Sequence, residues 1–448
     1  MLSISEAQNR VTDIVADARR AGADAADALY YCDSATDVRM RLGKLEDVGR
    51  AEGEEIGLRL FVGTRSASVS SSDLSAAALS ALVERAVAMA REAPEDLYAG
   101  LAPEDRLMTA PAADLDLDDG AEPEPAELRE RALAAEDAAR AVPGVTNSEG
   151  AGASASRTRI ALATSHGFSG AYGSSGYGVS AGVIAGTGSF MQRDYAYHST
   201  RHIADLEDAA TIGRKAGDRA VRRLNPGKLA SAPMPVVFDR RVSSGMIGHL
   251  IGAITGPAIS RKSSFLLDAL GTAIFDGAID ILDDPHRPRG LRSRPFDGEG
   301  LPTAPRALVE RGVLTGWLLD SASARQLGLE PTGHASRGTS GPPGVGASNV
   351  HMTAGSTSVD ALIADIKCGV LVTELIGMGV NGVTGDYSRG ASGYLIEDGL
   401  ITGPVAEITI AGNLKDMFRA LTPADDLEFR YAINAPTLRI DGMTVAGG

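Results

Sequence analysis

Residues 243–265, SSGMIGHLIGAITGPAISRKSSF, decide how the second half of the chain folds. Gly245, Gly248, Gly252 and Gly256 recur at three- and four-residue spacing, so a helix through them carries all four on one face. Each glycine costs up to about 1 kcal/mol of helix propensity relative to alanine. Four of them predict a buried central helix with a smooth seam that gains by close backbone approach. Met246, Ile247, Leu250, Ile251 and Ile254 are left to pack elsewhere.

Just upstream, residues 235–238 read as a short strand leading into this helix. Before that, 205–224 form an amphipathic helix closed by Asn225-Pro226-Gly227, a firm stop signal. The domain boundary is placed there, giving domains 1–227 and 228–448. Residues 146–200 are rich in Ser, Thr and Gly. The alternation of Ile160 with Leu162, and of Val179, Ala181 and Val183, predicts antiparallel strands. Near the start, Ser5 caps a first helix, short strands follow at 28–32, 37–42 and 56–62, and Asp73 opens an Ala-rich helix. Strands followed by a helix indicate α+β, not a βαβ repeat. Between them lies an acidic connector at about 111–125, whose carboxylates and prolines predict a solvated link. A helix resumes near Ala126 and ends near Pro143. The last third carries short strands at 313–318, 394–396, 407–410 and 437–440. The architecture expected is therefore an N-terminal helix-and-antiparallel-sheet domain and a C-terminal strand-rich domain around the Gly-rich helix.

Composition narrows function. At 448 residues, 44% hydrophobic and 23% charged, the chain is long and apolar enough for two folded domains. A net charge of -15 argues against nucleic acid as a partner. Two cysteines, Cys32 and Cys368, suit a reducing cytoplasm, and no apolar run approaches the ~18 residues of a membrane span.

Short motifs carry little chemistry by themselves. The glycine runs from Gly170 and Gly341 lack the strand–helix context of a dinucleotide site, and no G-x-S-x-G elbow occurs. His198 and His202 stand four apart, a metal-ligand spacing on a helix, but here they fall at a strand-to-helix turn. His166, His249, His286, His334 and His351 show no ligand spacing. Cys368 sits in the apolar IADIKCGVLVTEL, the setting of a buried structural thiol.

Four long stretches carry more. MQRDYAYHSTRH (191–202), GHLIGAITGPAISRKSSFLLDALG (248–271), VTGDYSRGASGYLIEDG (383–399) and PVAEITIAGNLKDMFR (404–419) resemble the PmbA/TldE branch of the TldD/PmbA metallopeptidase family. In zinc-bearing TldD relatives the central helix carries H-E-x-x-x-H, two zinc ligands and the carboxylate that activates water. Matching that motif here puts Gly248 at the first His, His249 at the Glu and Ala253 at the second His. The family's further Cys ligand is missing as well, because no cysteine follows Cys368.

The resemblance thus implies no catalytic or metal-binding residue in this chain and a zinc ion in a TldD-type partner. It also implies that the pair degrades or trims short unfolded peptides in the cytoplasm, with a homodimer when the mate is absent. Peptide-channel or partner contacts are sought in Arg261, Ser263 and Ser264, and in Asp386, Tyr387, Ser388 and Arg389. The alternative for the last four is a structural turn in which Asp386 and Arg389 satisfy each other. Two other functions stay open: an independent metal-dependent peptidase using His198, His202 or other ligands, and an interaction protein that modulates gyrase.

Overall fold

The computed structural model describes residues 1–447. Helix α1 (Ile4–Arg20) is capped by Ser3, whose hydroxyl and backbone N–H exchange hydrogen bonds with Glu6, two residues earlier than Ser5 would do it. Strands β1 (Ala25–Arg41), β2 (Lys44–Val62) and β3 (Arg65–Ser71) follow, then α2 (Ala76–Glu92), capped by Ser75 and not Asp73. The two segments at 28–32 and 37–42 are one continuous strand. Residues 33–36 pair through to β2 although they carry no apolar alternation. Beyond α3 (Pro125–Arg140), strands β4 (Val145–Thr164), β5 (Ser169–Ala185) and β6 (Gln192–Thr200) complete an antiparallel sheet ordered β3-β2-β1-β4-β5-β6. Helix α4 (Ala209–Arg222) is shorter than the pattern at 205–224, because Asp208 caps it by accepting from the Thr211 N–H. Helix α1 buries its apolar stripe against β1 and β4 and α2 against β2 and β3, while α3 packs on β1, β4 and β5 and α4 on β5 and β6.

The acidic connector keeps Asp114, Asp116, Asp118, Glu122 and Glu124 exposed, but it is also docked on the sheet domain. Leu115 and Leu117 are buried, and Asp119 accepts hydrogen bonds from the Tyr177 hydroxyl (2.6 Å) and the Ile203 N–H (2.8 Å). Asp118 and Glu122 hold Arg157, and Asp116 meets Arg289 at 2.6 Å. Arginines placed across from the carboxylates relieve the repulsion that their spacing suggests.

From residue 232 the chain builds β7 (Ala232–Phe238), α5 (Arg240–Ala253), α6 (Gly256–Ser260), β8 (Ile281–Asp283), β9 (Arg306–Glu310) and β10 (Val313–Leu314). Next come α7 (Ser321–Leu327), β11 (Ala335–Ser336), β12 (Gly344–Val345), β13 (Val350–Met352), α8 (Val359–Ile363) and β14 (Cys368–Ile376). The series ends with β15 (Asp386–Glu397), β16 (Leu400–Asn413), α9 (Leu414–Ala420), β17 (Leu421–Pro423), β18 (Ile433–Asn434) and β19 (Leu438–Ala446). One sheet runs β10-β9-β8-β13-β18. A second, β16-β15-β14-β7-β19-β17, closes into a small barrel because β16 also pairs with β19, and β11 pairs with β12 alone. The fold is mixed α+β. Cys368 is exposed: it is the first residue of β14, whose buried run begins at Gly369.

The two halves meet over buried charges. Asp27 on β1 is paired with Arg59 on β2 and with Arg337, and Glu299 lies 3.9 Å from Arg59. Gly57 on β2 is needed here, since a Cβ would stand 2.0 Å from the Thr339 carbonyl oxygen.

Candidate functional site beside the glycine-rich helix

Asp239 caps α5 by accepting from the Arg241 N–H at 2.8 Å. The helix then splits its residues by face. Ser243, Met246, Ile247, Leu250 and Ala253 are buried against β7 and β14 of the barrel and β13 and β18 of the five-stranded sheet. Gly245, Gly248 and Gly252 point the other way, and a Cβ added at any of them meets no atom within 4 Å. The expected close backbone approach is therefore absent along α5. Only Gly256, already in α6, is tightly packed, against Ser323.

A single helix through all four glycines is also not formed. Pro257 lacks the N–H that would reach the Ala253 carbonyl, so α5 stops and α6 starts afresh with Pro257 in its first turn. Ser264 takes over that carbonyl: its hydroxyl donates to Ala253 O at 2.7 Å and accepts from the Leu266 N–H at 3.0 Å. Ser264 is consequently buried and committed to the end of the helix.

A cavity of about 330 Å³ opens along the glycine face, between α5 and residues 377–385. Its floor includes Gly248, His249, Gly252 and Ala253, and its walls are Ser263, Phe265, Met378, Val380, Arg389 and Leu414. Residues 377–385 are folded back on β15. The Ser388 N–H donates to Gly379 O at 2.7 Å, and a Cβ at Gly379 would stand 2.0 Å from the Ser388 oxygen. The loop is tied to the helix side through the Phe265 N–H, which donates to Gly382 O at 2.8 Å.

Side chains alternate along β15, which separates the four loop candidates. Tyr387 is buried toward α5 and Arg389 reaches the cavity, whereas Asp386 and Ser388 are exposed on the opposite face. Asp386 accepts from Thr384 (2.6 Å) and Asn413 (3.1 Å), so the pairing of Asp386 with Arg389 does not occur. Arg261 is exposed and lies outside the cavity lining. Met378 and Val380 escaped the sequence reading. The density of glycines at 377, 379, 382 and 385 was the available signal for a shaped loop.

Electrostatics here are one-sided. The His249 ring stands edge-on to Tyr387 with centroids 5.8 Å apart. Burial, with the Arg389 cation beside it, holds His249 below the ordinary histidine range, so the imidazole is neutral at physiological pH. Burial pushes the Tyr387 hydroxyl up to about 12 and keeps it protonated. Zinc requires several N, S or O ligands, and this lining offers one imidazole and no carboxylate or thiol. The residues around α5 do not fit that ion.

His198 and His202 are occupied separately. His198 Nδ1 accepts from the Glu207 N–H at 3.0 Å, and His202 Nε2 is 2.9 Å from the Asp116 carbonyl oxygen. His334 is buried, with Nε2 3.0 Å from Asp283, whose other oxygen holds Ser348. Among the described residues no three His, Cys, Asp or Glu side chains gather as a metal would need.

Comparison with known proteins agrees with this architecture. Residues 26–90, 118–224 and 231–447 match, in turn, domain 1, the central domain and the C-terminal domain of the PmbA/TldA metallopeptidases. The chain is 40% identical over 412 residues to metalloprotease PmbA of Escherichia coli O157:H7, covering 92% of this chain and 89% of that one. The chain belongs to the PmbA/TldD metallopeptidase family. A PmbA homolog of Haemophilus influenzae is 39% identical over 99% of this chain and 96% of its own length. A TldD homolog from the same organism is 27% identical over 53% of each, which sets this chain in the PmbA branch. A crystal structure from Bacteroides thetaiotaomicron, named for modulation of DNA gyrase, superposes with a TM-score of 0.92 at 28% identity, covering all of both chains. TldE from Thermococcus kodakarensis shares the fold with a TM-score of 0.87 at 21% identity, over 98% of this chain and 100% of that one.

Proposed function

We propose that this chain is the substrate-holding, non-catalytic subunit of a cytoplasmic zinc peptidase, working beside a TldD-type mate that carries the metal. The observation that supports this most directly is the trio Gly248, His249 and Ala253, which line the cavity at the positions where ligands and base are needed in zinc-bearing relatives. Two of the three have no ligating atom, and a neutral imidazole is no substitute for a carboxylate base. Substrates are short unfolded peptides, held extended by main-chain pairing near the cavity and shaped for attack on the partner's side. Division of the chain into domains 1–227 and 228–448 belongs to the same reading.

The test is a mixing experiment. The purified chain is expected to hold far less than one equivalent of zinc and to leave an unstructured peptide intact. Adding a zinc-bearing relative of the TldD type should give hydrolysis faster than that relative shows alone. One equivalent of zinc together with peptide cleavage by this chain alone would overturn the proposal.

A further inference from the structure

Of the polar side chains that line the cavity, His249 and Arg389 have no protein hydrogen-bond partner, Ser263 donates to the Ala258 carbonyl oxygen, and none of the three is acidic. Tyr387 is 1% exposed, yet its hydroxyl has no hydrogen-bond partner. Arg389, two residues along on the same face of β15, has a buried Nε in the same condition, and no carboxylate lines the cavity. Buried donors are normally satisfied, so the unpartnered Nε of Arg389, in a lining without a carboxylate, leaves room for a ligand that supplies acceptors. A cation in the lining without a counter-charge calls for an anionic oxygen pair, and a guanidinium grips a carboxylate through two parallel hydrogen bonds.

The remaining walls call for something apolar. Phe265, Met378, Val380 and Leu414 surround a space of about 330 Å³, at the small end for ligand pockets. That space suits one residue, not an extended segment. Met378 is 89% exposed, an apolar side chain standing over the opening without cover. The open glycine face completes the argument, because a larger side chain at Gly248 or Gly252 would project into the same volume.

We infer that this cavity receives the C-terminal residue of a peptide, with its apolar side chain over Gly248 and Gly252 and its α-carboxylate on Arg389. The inference rests on the peptide-holding role proposed above and adds which end of the peptide is held. The neutral His249 leaves the carboxylate to Arg389.

Isothermal titration of acetyl-Ala-Ala-Leu, as the free acid and as the C-terminal amide, tests this on the chain alone and on its mixture with the zinc-bearing relative. The acid is expected to bind roughly tenfold to a hundredfold tighter than the amide, the worth of a charge-assisted pair. Arg389→Gln should bring acid and amide to equal affinity, and Gly252→Leu should weaken both. Equal binding of acid and amide to the unaltered chain, discrimination that survives Arg389→Gln, or binding of neither peptide in either sample would overturn the inference. Should Arg389→Gln fail to fold, the acid–amide comparison on the unaltered chain decides alone. Hydrolysis restored on mixing without acid preference sinks only this inference. Acid preference without restored hydrolysis sinks only the subunit role.

Discussion

The Ala253 carbonyl is deprived of its helical donor by Pro257, and the hydroxyl of Ser264 is what satisfies it. Removing that hydroxyl leaves a buried acceptor bare, which typically costs about 1–3 kcal/mol. Ser264→Ala is therefore expected to lower the urea midpoint by a corresponding amount, with Ser264→Thr closer to the unaltered chain. From sequence, Ser263 and Ser264 are indistinguishable: two hydroxyls after a glycine-rich helix. What separates them is the direction each side chain takes once the helix breaks, and that is decided by a residue seven positions away. His249 was more legible, because its place in the matched helix sets it beside vacated ligand positions whatever its neighbours are. Its contact with Tyr387 depends on a strand that arrives much later in the chain.

Helices were readable where one face is buried. The stripes of α1 and α2 follow the apolar spacing closely, and Asn225-Pro226-Gly227 does follow the end of α4. Strands were readable only in part. Residues 33–36 of β1 lack alternation because both faces there are half-covered, yet their backbone pairs without interruption. The glycines of α5 are legible as a face, but spacing does not say whether a face is packed or empty. An empty face makes a definite prediction. Gly245 has helical backbone and open space around it, so Gly245→Ala should stabilise the isolated chain by up to about 1 kcal/mol. A thermal melt checks this. A lowered midpoint would mean that the face is covered in solution.

At the scale of the whole molecule, the junction between the two halves carries a pH response. Glu299 is 3% exposed, and burial, reinforced by Asp297 and opposed by Arg59, pushes its carboxyl up to about 7. Between the ordinary glutamate value and about 7, the folded chain holds a proton that the unfolded chain has released. Stability contributed at this site therefore falls as pH rises through that window, by about 3 kcal/mol in all. Glu299→Gln removes the titration while keeping an acceptor for Ser321. Relative to the unaltered chain, the variant should gain stability as pH is raised from about 5 to about 8, read from urea midpoints. His198, His249 and His351, all held low, act in the opposite direction in both chains and cancel in the difference. None of this was visible in sequence, where Asp27, Arg59, Glu299 and Arg337 lie far apart and only the fold gathers them.

Strand β7 has a consequence for how the chain reaches its native state. Val236, Val237 and Phe238 have no exposed surface, and both of the strand's neighbours, β14 and β19, lie far downstream. Until those neighbours are synthesised and docked, β7 is an apolar edge with open hydrogen-bonding groups on both sides. Such non-local pairing is slow and leaves a sticky intermediate. Yield on refolding should thus be governed by concentration during the wait for β14 and β19, and not by the final stability of the barrel.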